Sequence, residues 1–111
     1  MKKYSLISEL TTIQQSQSTD ILIEVQHERK KQDEKWGVQN HAPFAWLAIL
    51  GEEVGEANKH ALQAHFSGAY GNSDNAEYER QQLIEYRKEL IQIAAVAAAM
   101  IESIDRNYFN K

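Results

Sequence analysis

Apolar residues recur at intervals of three and four along two long stretches of the chain. In the first stretch, which follows Pro43, they are Phe44, Leu47, Leu50, Val54, Ala57 and Ala61. In the second stretch, from about Glu77 to Arg106, they are Leu83, Leu90, Ala94, Ala97, Ile101 and Ile104. This spacing gathers side chains on one face of an α-helix, and proline suits a first helical turn. We therefore predict two long helices.

A third helix is predicted upstream of these two. Ser18, Thr19 and Asp20 are of the types that cap a helix start, because their side-chain oxygens accept from free backbone amides. Trp36 and Gly37 mark its end. Residues 1–18 have little pattern and are expected to form an arm or short helix, ahead of a single domain over residues 19–111. The segment 67–75 is predicted to be a loop by composition.

The last predicted helix is apolar on several sides, and its segment 94–99 reads AAVAAA. A helix that is apolar all round is buried all round, and such small side chains let another helix approach closely. A chain this short buries a smaller share of its surface than a long one. The fold class is therefore predicted to be all-α, a helical bundle that is a homodimer or homotetramer joined through this Ala-rich helix.

Composition narrows the range of functions. The 111 residues carry a net charge of -4, whereas bulk attraction to nucleic acid needs a basic face. Cysteine is absent, which excludes disulfides and thiolate metal sites. No run reaches the roughly 18 apolar residues of a membrane span, and no secretory signal is evident. We expect a soluble, cytoplasmic protein with no nucleic-acid or membrane partner.

The segment 51–56 reads GEEVGE and carries the first candidate chemistry. Glu53 and Glu56 are three apart and share a helix face, and hard divalent cations are held by such carboxylate oxygens. Leu50 and Val54 beside them favour a position near the core boundary. The alternative is a solvated acidic face with no ligand.

A second acid lies on the last helix. Glu89 precedes a long apolar run, and Gln92 shares its face at the next turn. An acid at such a boundary is a candidate ligand, although it could equally pair with Arg87 or Lys88, of another subunit for instance.

The segment 32–41, QDEKWGVQNH, is a third candidate. Trp36 offers a flat stacking surface, and Asn40 and His41 offer hydrogen bonds of the kind that hold nucleobases. The alternative interpretation is that Trp36 fills the core and that Asn40 or His41 starts a helix.

Together these motifs resemble the MazG-like members of the all-α nucleoside triphosphate pyrophosphohydrolases, which are related to dimeric dUTP pyrophosphatases. The similarity covers residues 24–106. It is carried by ERKKQDEKWGVQNH, GEEVGEANKHAL and RKELIQIAAVAAAMIESIDR. The family pattern is EExxE on one helix and ExxD on a later one. Gln92 stands where that pattern has Asp.

The resemblance implies Mg²⁺-dependent, or Mn²⁺-dependent, hydrolysis of a nucleoside triphosphate to a monophosphate and pyrophosphate, in nucleotide-pool housekeeping or phage nucleotide metabolism. It implies that four acids are catalytic: Glu52, Glu53, Glu56 and Glu89. The implied metal ligands are Glu53, Glu56, Glu89 and, as a neutral ligand, Gln92. Substrate contacts are expected from a further set of residues: Lys35, Trp36, Asn40, His41 and Lys59. Glu52 or Glu56 is the expected general base.

Two alternatives remain at this point. A di-iron bundle would use Glu-x-x-His on two helices, whereas this chain has Glu-x-x-Glu and Glu-x-x-Gln. A non-catalytic or weakly active nucleotide-binding protein with a degenerate metal site is favoured by Gln92, because an amide offers one neutral oxygen and no charge. Glu85, one turn earlier, could replace the missing acid.

Overall fold

The computed structural model describes residues 16–69 and 76–110. These residues form three α-helices: α1 (Gln17–Trp36), α2 (Pro43–Ala69) and α3 (Ala76–Ile104). A π-helical turn, Asp105–Phe109, continues directly from α3. The described residues include no β-strand, so the all-α prediction is confirmed. None of the described helices is both long and apolar enough to cross a lipid bilayer.

Helix α1 begins earlier than predicted. The hydroxyl oxygen of Ser16 accepts from the backbone amide of Thr19 at 3.2 Å, so Ser16 is the N-cap. The helix ends where predicted, at Gly37, which has a φ of 74° and donates its amide to the Asp33 carbonyl at 2.8 Å. Glycine suits this left-handed conformation because it has no Cβ. The predicted arm was residues 1–18. Its residues 17 and 18 belong to α1, with Ser16 as the cap, and residues 1–15 lie outside the described residues.

Helix α2 starts at Pro43, as predicted, but continues beyond its expected end. The predicted loop is wrong for residues 67–69, which are helical. Ser67 is buried, and its hydroxyl donates to the carbonyl oxygen of Ala64 at 2.8 Å. This bond within the helix satisfies a polar side chain that composition alone assigns to a loop. The rest of that loop, residues 70–75, lies outside the described residues.

Helices α2 and α3 pack side by side in opposite directions. His60 lies opposite Gln82, Glu53 lies opposite Glu89, and Trp46 packs on Val96. The core between them contains Trp46, Val96 and Ala99, with Ile49, Leu50 and Met100 against it. This antiparallel pairing sets the register in which the acidic motifs of the two helices meet.

The predicted apolar stripes are only partly the core. Phe44 is 79% exposed, Leu47 60% and Ile101 60%, and Leu83 and Leu90 are also exposed. The reason is that α2 and α3 are apolar on two opposite sides, and one helix pair buries only the side that it shares. The Ala-rich run contributes to that shared side, since Ala95 and Ala99 are buried within the chain.

Helix α1 contacts α3 and not α2, and none of its residues is buried. The three helices therefore do not close around one core. The Cα radius of gyration is 17.6 Å, compared with about 13 Å for a compact domain of about 100 residues.

Candidate functional site

Glu53 of α2 and Glu89 of α3 meet across the interface of the two helices. Their carboxyl groups are hydrogen-bonded to each other. With its amide nitrogen turned towards them, Gln92 donates to Glu53 Oε2 at 2.9 Å and to Glu89 Oε2 at 3.2 Å. This orientation follows from the network, because the opposite one sets the amide oxygen against two acceptors. The structure thus brings together three of the predicted ligands.

The electrostatics of this pair are unusual for carboxyl groups. The pKa of Glu53 is raised from 4.5 to about 7. Burial is the largest cause, followed by the hydrogen bond with Glu89 and the negative charges of Glu89, Glu52 and Glu56. Negative charges close together disfavour the ionised form, so Glu53 keeps its proton to a higher pH than an ordinary glutamate. A cation bound in place of that proton removes the repulsion.

The oxygen donors suit a hard divalent cation only in part. Glu53 and Glu89 would supply charged oxygens, and the Gln92 carbonyl would supply a neutral one after rotation of its amide. Glu56 and Glu52 are exposed and act on Glu53 through their charge. No three His, Asp or Glu residues within 16–69 and 76–110 are grouped tightly enough to hold a metal ion. The predicted grouping of Glu53, Glu56 and Glu89 is therefore not assembled in this arrangement.

Glu85 does not reach the carboxylate pair as a substitute ligand. It lies on α3 and forms an ion pair at 3.2 Å with Lys88, one turn away on the same helix. Arg87 instead pairs with Glu24 of α1 at 2.6 Å. Within the chain, the two basic residues that were alternative partners for Glu89 are thus engaged elsewhere. His60, the only histidine near the acidic motif in sequence, hydrogen-bonds Gln82 at 2.7 Å.

A cleft of about 400 Å³ opens beside the pair, between α1 and the packed helices α2 and α3. Glu53 and Gln92 line one part of it. Its apolar wall consists of Trp46, Ile49, Val96 and Ala99. Cationic side chains lie around it on α1 and the π-helical turn: Arg29, Lys31, Lys35 and Arg106. Glu28 and Asp33 also line it and pair with Lys31 and Arg29. The cleft therefore combines carboxylates, an apolar wall and positive charge.

Lys35 and Trp36, two of the residues from which the sequence predicts substrate contacts, both line this cleft. The Trp36 side chain does not fill the core, since it is 58% exposed. Lys35 Nζ lies 4.6 Å from the centroid of the Trp36 ring. No ion pair to Lys35 is found within the described ranges, so its ammonium remains available to an anion.

The other predicted substrate residues lie outside the cleft. Asn40 accepts hydrogen bonds from Arg106 at 2.9 Å and from Asn107 at 2.9 Å, which tie the α1–α2 loop to the end of α3. His41 packs edge-on against Trp46, with ring centroids 4.8 Å apart. Lys59 is exposed on α2, away from the cleft.

Sequence reasoning did not single out Trp46, Arg29 or Arg106, which the structure places around the cleft. Trp46 is 4% exposed and forms part of both the core and the cleft wall. Arg29 lies in the segment ERKKQDEKWGVQNH and Arg106 in RKELIQIAAVAAAMIESIDR, but nothing in either segment pointed to a site role for its arginine. Only the packing of α1 on α3 brings them to the same cavity.

Comparison with known proteins gave no match: no protein-family model, no curated protein and no solved structure is similar to this chain. A function must therefore be argued from the arrangement of the site and from the motifs.

Proposed function

We propose that this protein is a Mg²⁺-dependent nucleoside triphosphate pyrophosphohydrolase. One observation carries the proposal: the Glu53–Glu89 pair and the Lys35–Trp36 pair, which are far apart in sequence, line or adjoin the same cleft. A nucleotide has a flat base, which could stack on Trp36, and a negatively charged polyphosphate. The polyphosphate could contact Lys35 and a cation held by Glu53 and Glu89. The MazG-like order of the motifs supports the same assignment.

Each side chain has a distinct part in this proposal. Trp36 would stack on the base, and Lys35 would meet a phosphate as a point charge. Glu53 and Glu89 would hold the divalent cation, with Gln92 as a neutral ligand. When bound, the cation supplies charge neutralisation at the phosphates and a lowered pKa of attacking water. Manganese has the same preference for oxygen ligands and is expected to substitute for magnesium.

The proposed reaction is hydrolysis between the α- and β-phosphates. Water forms a bond to the α-phosphorus, the bond from that phosphorus to the bridging oxygen breaks, and pyrophosphate leaves. Glu52 or Glu56 would accept the proton of the water. Both are exposed carboxylates that flank Glu53, and neither is bound into the Glu53–Glu89–Gln92 network.

A second candidate function is nucleotide binding without turnover. The hydrogen bonds of Gln92 to both carboxylates favour it. They stabilise the pair with a neutral donor, where an acid would add a third charged ligand. Such a protein would bind nucleotide in the cleft and regulate a partner.

We also propose that the chain works as a homodimer or homotetramer. The exposed apolar surface of α2 and α3 consists of eight large side chains: Phe44, Leu47, Val54, Leu62, Phe66, Leu83, Leu90 and Ile101. Large exposed apolar areas mark interaction surfaces. Gly51 and Gly55 of α2 have open space where a Cβ would be, which would let a second helix approach. This surface includes α3, the Ala-rich helix through which the sequence predicts assembly, although Ala95 and Ala99 of that run are buried within the chain.

The decisive experiment is pyrophosphate release from a panel of ribo- and deoxyribonucleoside triphosphates, with Mg²⁺, with Mn²⁺ and with EDTA. We expect turnover only with a divalent cation, and its loss in Glu53→Gln and Glu89→Gln. Glu85→Gln is the matched control, because Glu85 is an acid of α3 that pairs with Lys88 outside the site. Nucleotide binding without turnover would favour the second candidate. Unchanged turnover in both site variants would reject the proposed site.

A further inference from the structure

Polar contacts dominate the attachment of α1 to the rest of the molecule. The helix has no buried residue and does not contact α2. Two ion pairs join it to α3, Glu24–Arg87 at 2.6 Å and Arg29–Glu102 at 2.8 Å. Exposed ion pairs contribute little to stability and are screened by salt. The position of α1 on α3 therefore depends on how well each ion pair is formed.

Arg29 is the better-formed of the two connections. Its side chain is 13% exposed, compared with 56% for Arg87. A guanidinium has five N–H donors, and in Arg29 all have acceptors. Nε and Nη2 donate to Glu102 at 3.0 and 2.8 Å, Nη1 and Nη2 donate to Asp33 at 3.1 and 3.3 Å, and Nη1 donates to Gln32 at 3.5 Å.

This saturation decides between two roles for an arginine beside the cleft. An arginine that binds phosphate needs free donors directed at the ligand, and Arg29 has none left. The contact with Glu102 lowers the pKa of that carboxyl group, so the pair is charged at neutral pH. Arg29 therefore acts within the protein and not on a ligand.

The position of Arg29 gives this contact a consequence for the cleft. Arg29 lies about two turns of α1 before Lys35 and Trp36. All three line the same cavity, whereas Glu53 and Gln92 line it from α2 and α3. No Cα atom of α1 lies within 8 Å of a Cα atom of α2. The separation between these two sides therefore depends on how α1 sits on α3 and on the hydrogen bond between Arg106 and Asn40 of the α1–α2 loop. Arg29 forms the ion pair nearest to Lys35 and Trp36 in sequence that reaches α3.

We propose that Arg29 is a positioning residue, which clamps Glu102 and Asp33 and thereby sets the separation of Lys35 and Trp36 from the Glu53–Glu89 pair. The effect of Arg29 on nucleotide turnover rests on the proposed function, whereas its effect on the position of α1 does not. Loss of the clamp weakens binding more than chemistry, because Lys35 and Trp36 hold the nucleotide while the carboxylates act on it.

The test measures the position of α1 relative to α3 directly. The chain has no cysteine, so Glu34→Cys on α1 and Gln81→Cys on α3, both exposed, provide two unique spin-label sites. Labelled protein is diluted into unlabelled protein, so that only distances within one chain contribute. The distance distribution is recorded in low salt and in 1 M NaCl for the parent protein, Arg29→Met and Arg29→Lys. Arg87→Met and Lys88→Met are the matched controls; the first removes the other ion pair to α1 and the second removes a pair within α3.

We expect Arg29→Met to broaden the distribution in low salt as 1 M NaCl broadens that of the parent. Arg29→Lys should be intermediate, because a single ammonium cannot bridge two carboxylates as a guanidinium does. In the turnover assay, KM should rise about tenfold in Arg29→Met with kcat changed less than about threefold. Lys88→Met should leave both readouts at the parent values, and Arg87→Met should change KM less than Arg29→Met.

An unchanged distance distribution in Arg29→Met would overturn the proposal. So would an equal rise of KM in Arg29→Met and Arg87→Met, because the clamp would then have no special place beside the cleft. If the parent protein hydrolyses no nucleotide, the proposed function fails. The distance measurement alone then decides whether Arg29 fixes the position of α1 on α3.

Discussion

The carboxyl groups of Glu53 and Glu89 hydrogen-bond each other across the α2–α3 interface, and Gln92 donates to both. Two acids in contact are unfavourable in a folded protein unless a proton or a cation lies between them. The pair is therefore the part of the molecule where stability, pH and cation binding are expected to be coupled.

The first prediction concerns pH and stability without a divalent cation. The pKa of Glu53 is about 7 in the folded chain, above its ordinary 4.5. Between these values the folded state holds a proton that the unfolded state has lost, so this group's contribution to stability falls as pH rises from 4.5 through 7. Glu53→Gln removes the effect. It should stabilise the cation-free protein by about 1–2 kcal/mol at pH 8 and by little at pH 4.

Urea unfolding in EDTA at pH 4, 6 and 8 measures this difference. Glu52→Gln is the control, since Glu52 is an exposed neighbour on the same helix and should change the free energy of unfolding by less than about 0.5 kcal/mol. Equal free energies of unfolding for the parent and Glu53→Gln at pH 8 would show that ionised Glu53 does not destabilise the cation-free protein.

The second prediction concerns Gln92. Gln92→Asp replaces two donated hydrogen bonds by a third negative charge beside Glu53 and Glu89. Without a cation the protein should lose about 1–3 kcal/mol of stability at pH 8, whereas its affinity for Mn²⁺ should rise about tenfold, since ligand charge tunes cation affinity. Calorimetric titration with Mn²⁺ measures the affinity. Gln82→Asp, which changes a glutamine of the same helix outside the pair, should leave it unchanged. Weaker Mn²⁺ binding in Gln92→Asp would contradict the proposed ligand set.

The third prediction separates the two tryptophans. Trp36 is 58% exposed and Trp46 is 4% exposed. Trp36→Ala should alter the free energy of unfolding by less than about 0.5 kcal/mol, yet it should weaken nucleotide binding about tenfold, because stacking on one base contributes about 1–3 kcal/mol. Trp46→Ala should destabilise the fold by about 3–5 kcal/mol. Urea melts and a nucleotide titration of both variants distinguish them; unaltered nucleotide affinity in Trp36→Ala would remove Trp36 from the site.

The fourth prediction concerns assembly. Phe44→Glu introduces a charge into the exposed apolar surface of α2 and α3, where Phe44 is 79% exposed. Because a charge buried without a partner is strongly unfavourable at an interface, this variant should be a monomer. Phe109→Glu is the control, since Phe109 is equally exposed, at 70%, but lies in the π-helical turn at the end of the chain. Size-exclusion chromatography with light scattering gives the mass; a monomeric parent protein would contradict the proposed oligomer.

Local sequence patterns were sufficient to predict the three helices and the acidic motifs. The start of α2 at Pro43 and the end of α1 at Gly37 were predictable, because proline and glycine act through local backbone geometry. The extension of α2 through Ser67 was not, since a hydrogen bond within the helix compensates for a polar residue type. Spacing likewise showed that Glu53 and Glu56 share a helix face, but not which of them turns inwards.

The packing of the helices on one another determines which apolar side is the core and which acidic residues meet. Periodicity shows which side chains share a helix face but not what that face packs against, so it does not reveal that Phe44 and Leu83 are exposed. The antiparallel register of α2 and α3 selects Glu53 over Glu56 as the neighbour of Glu89. The docking of α1 on α3 brings Trp36 to the same cleft. These outcomes depend on contacts between residues distant in sequence, which a local pattern does not encode.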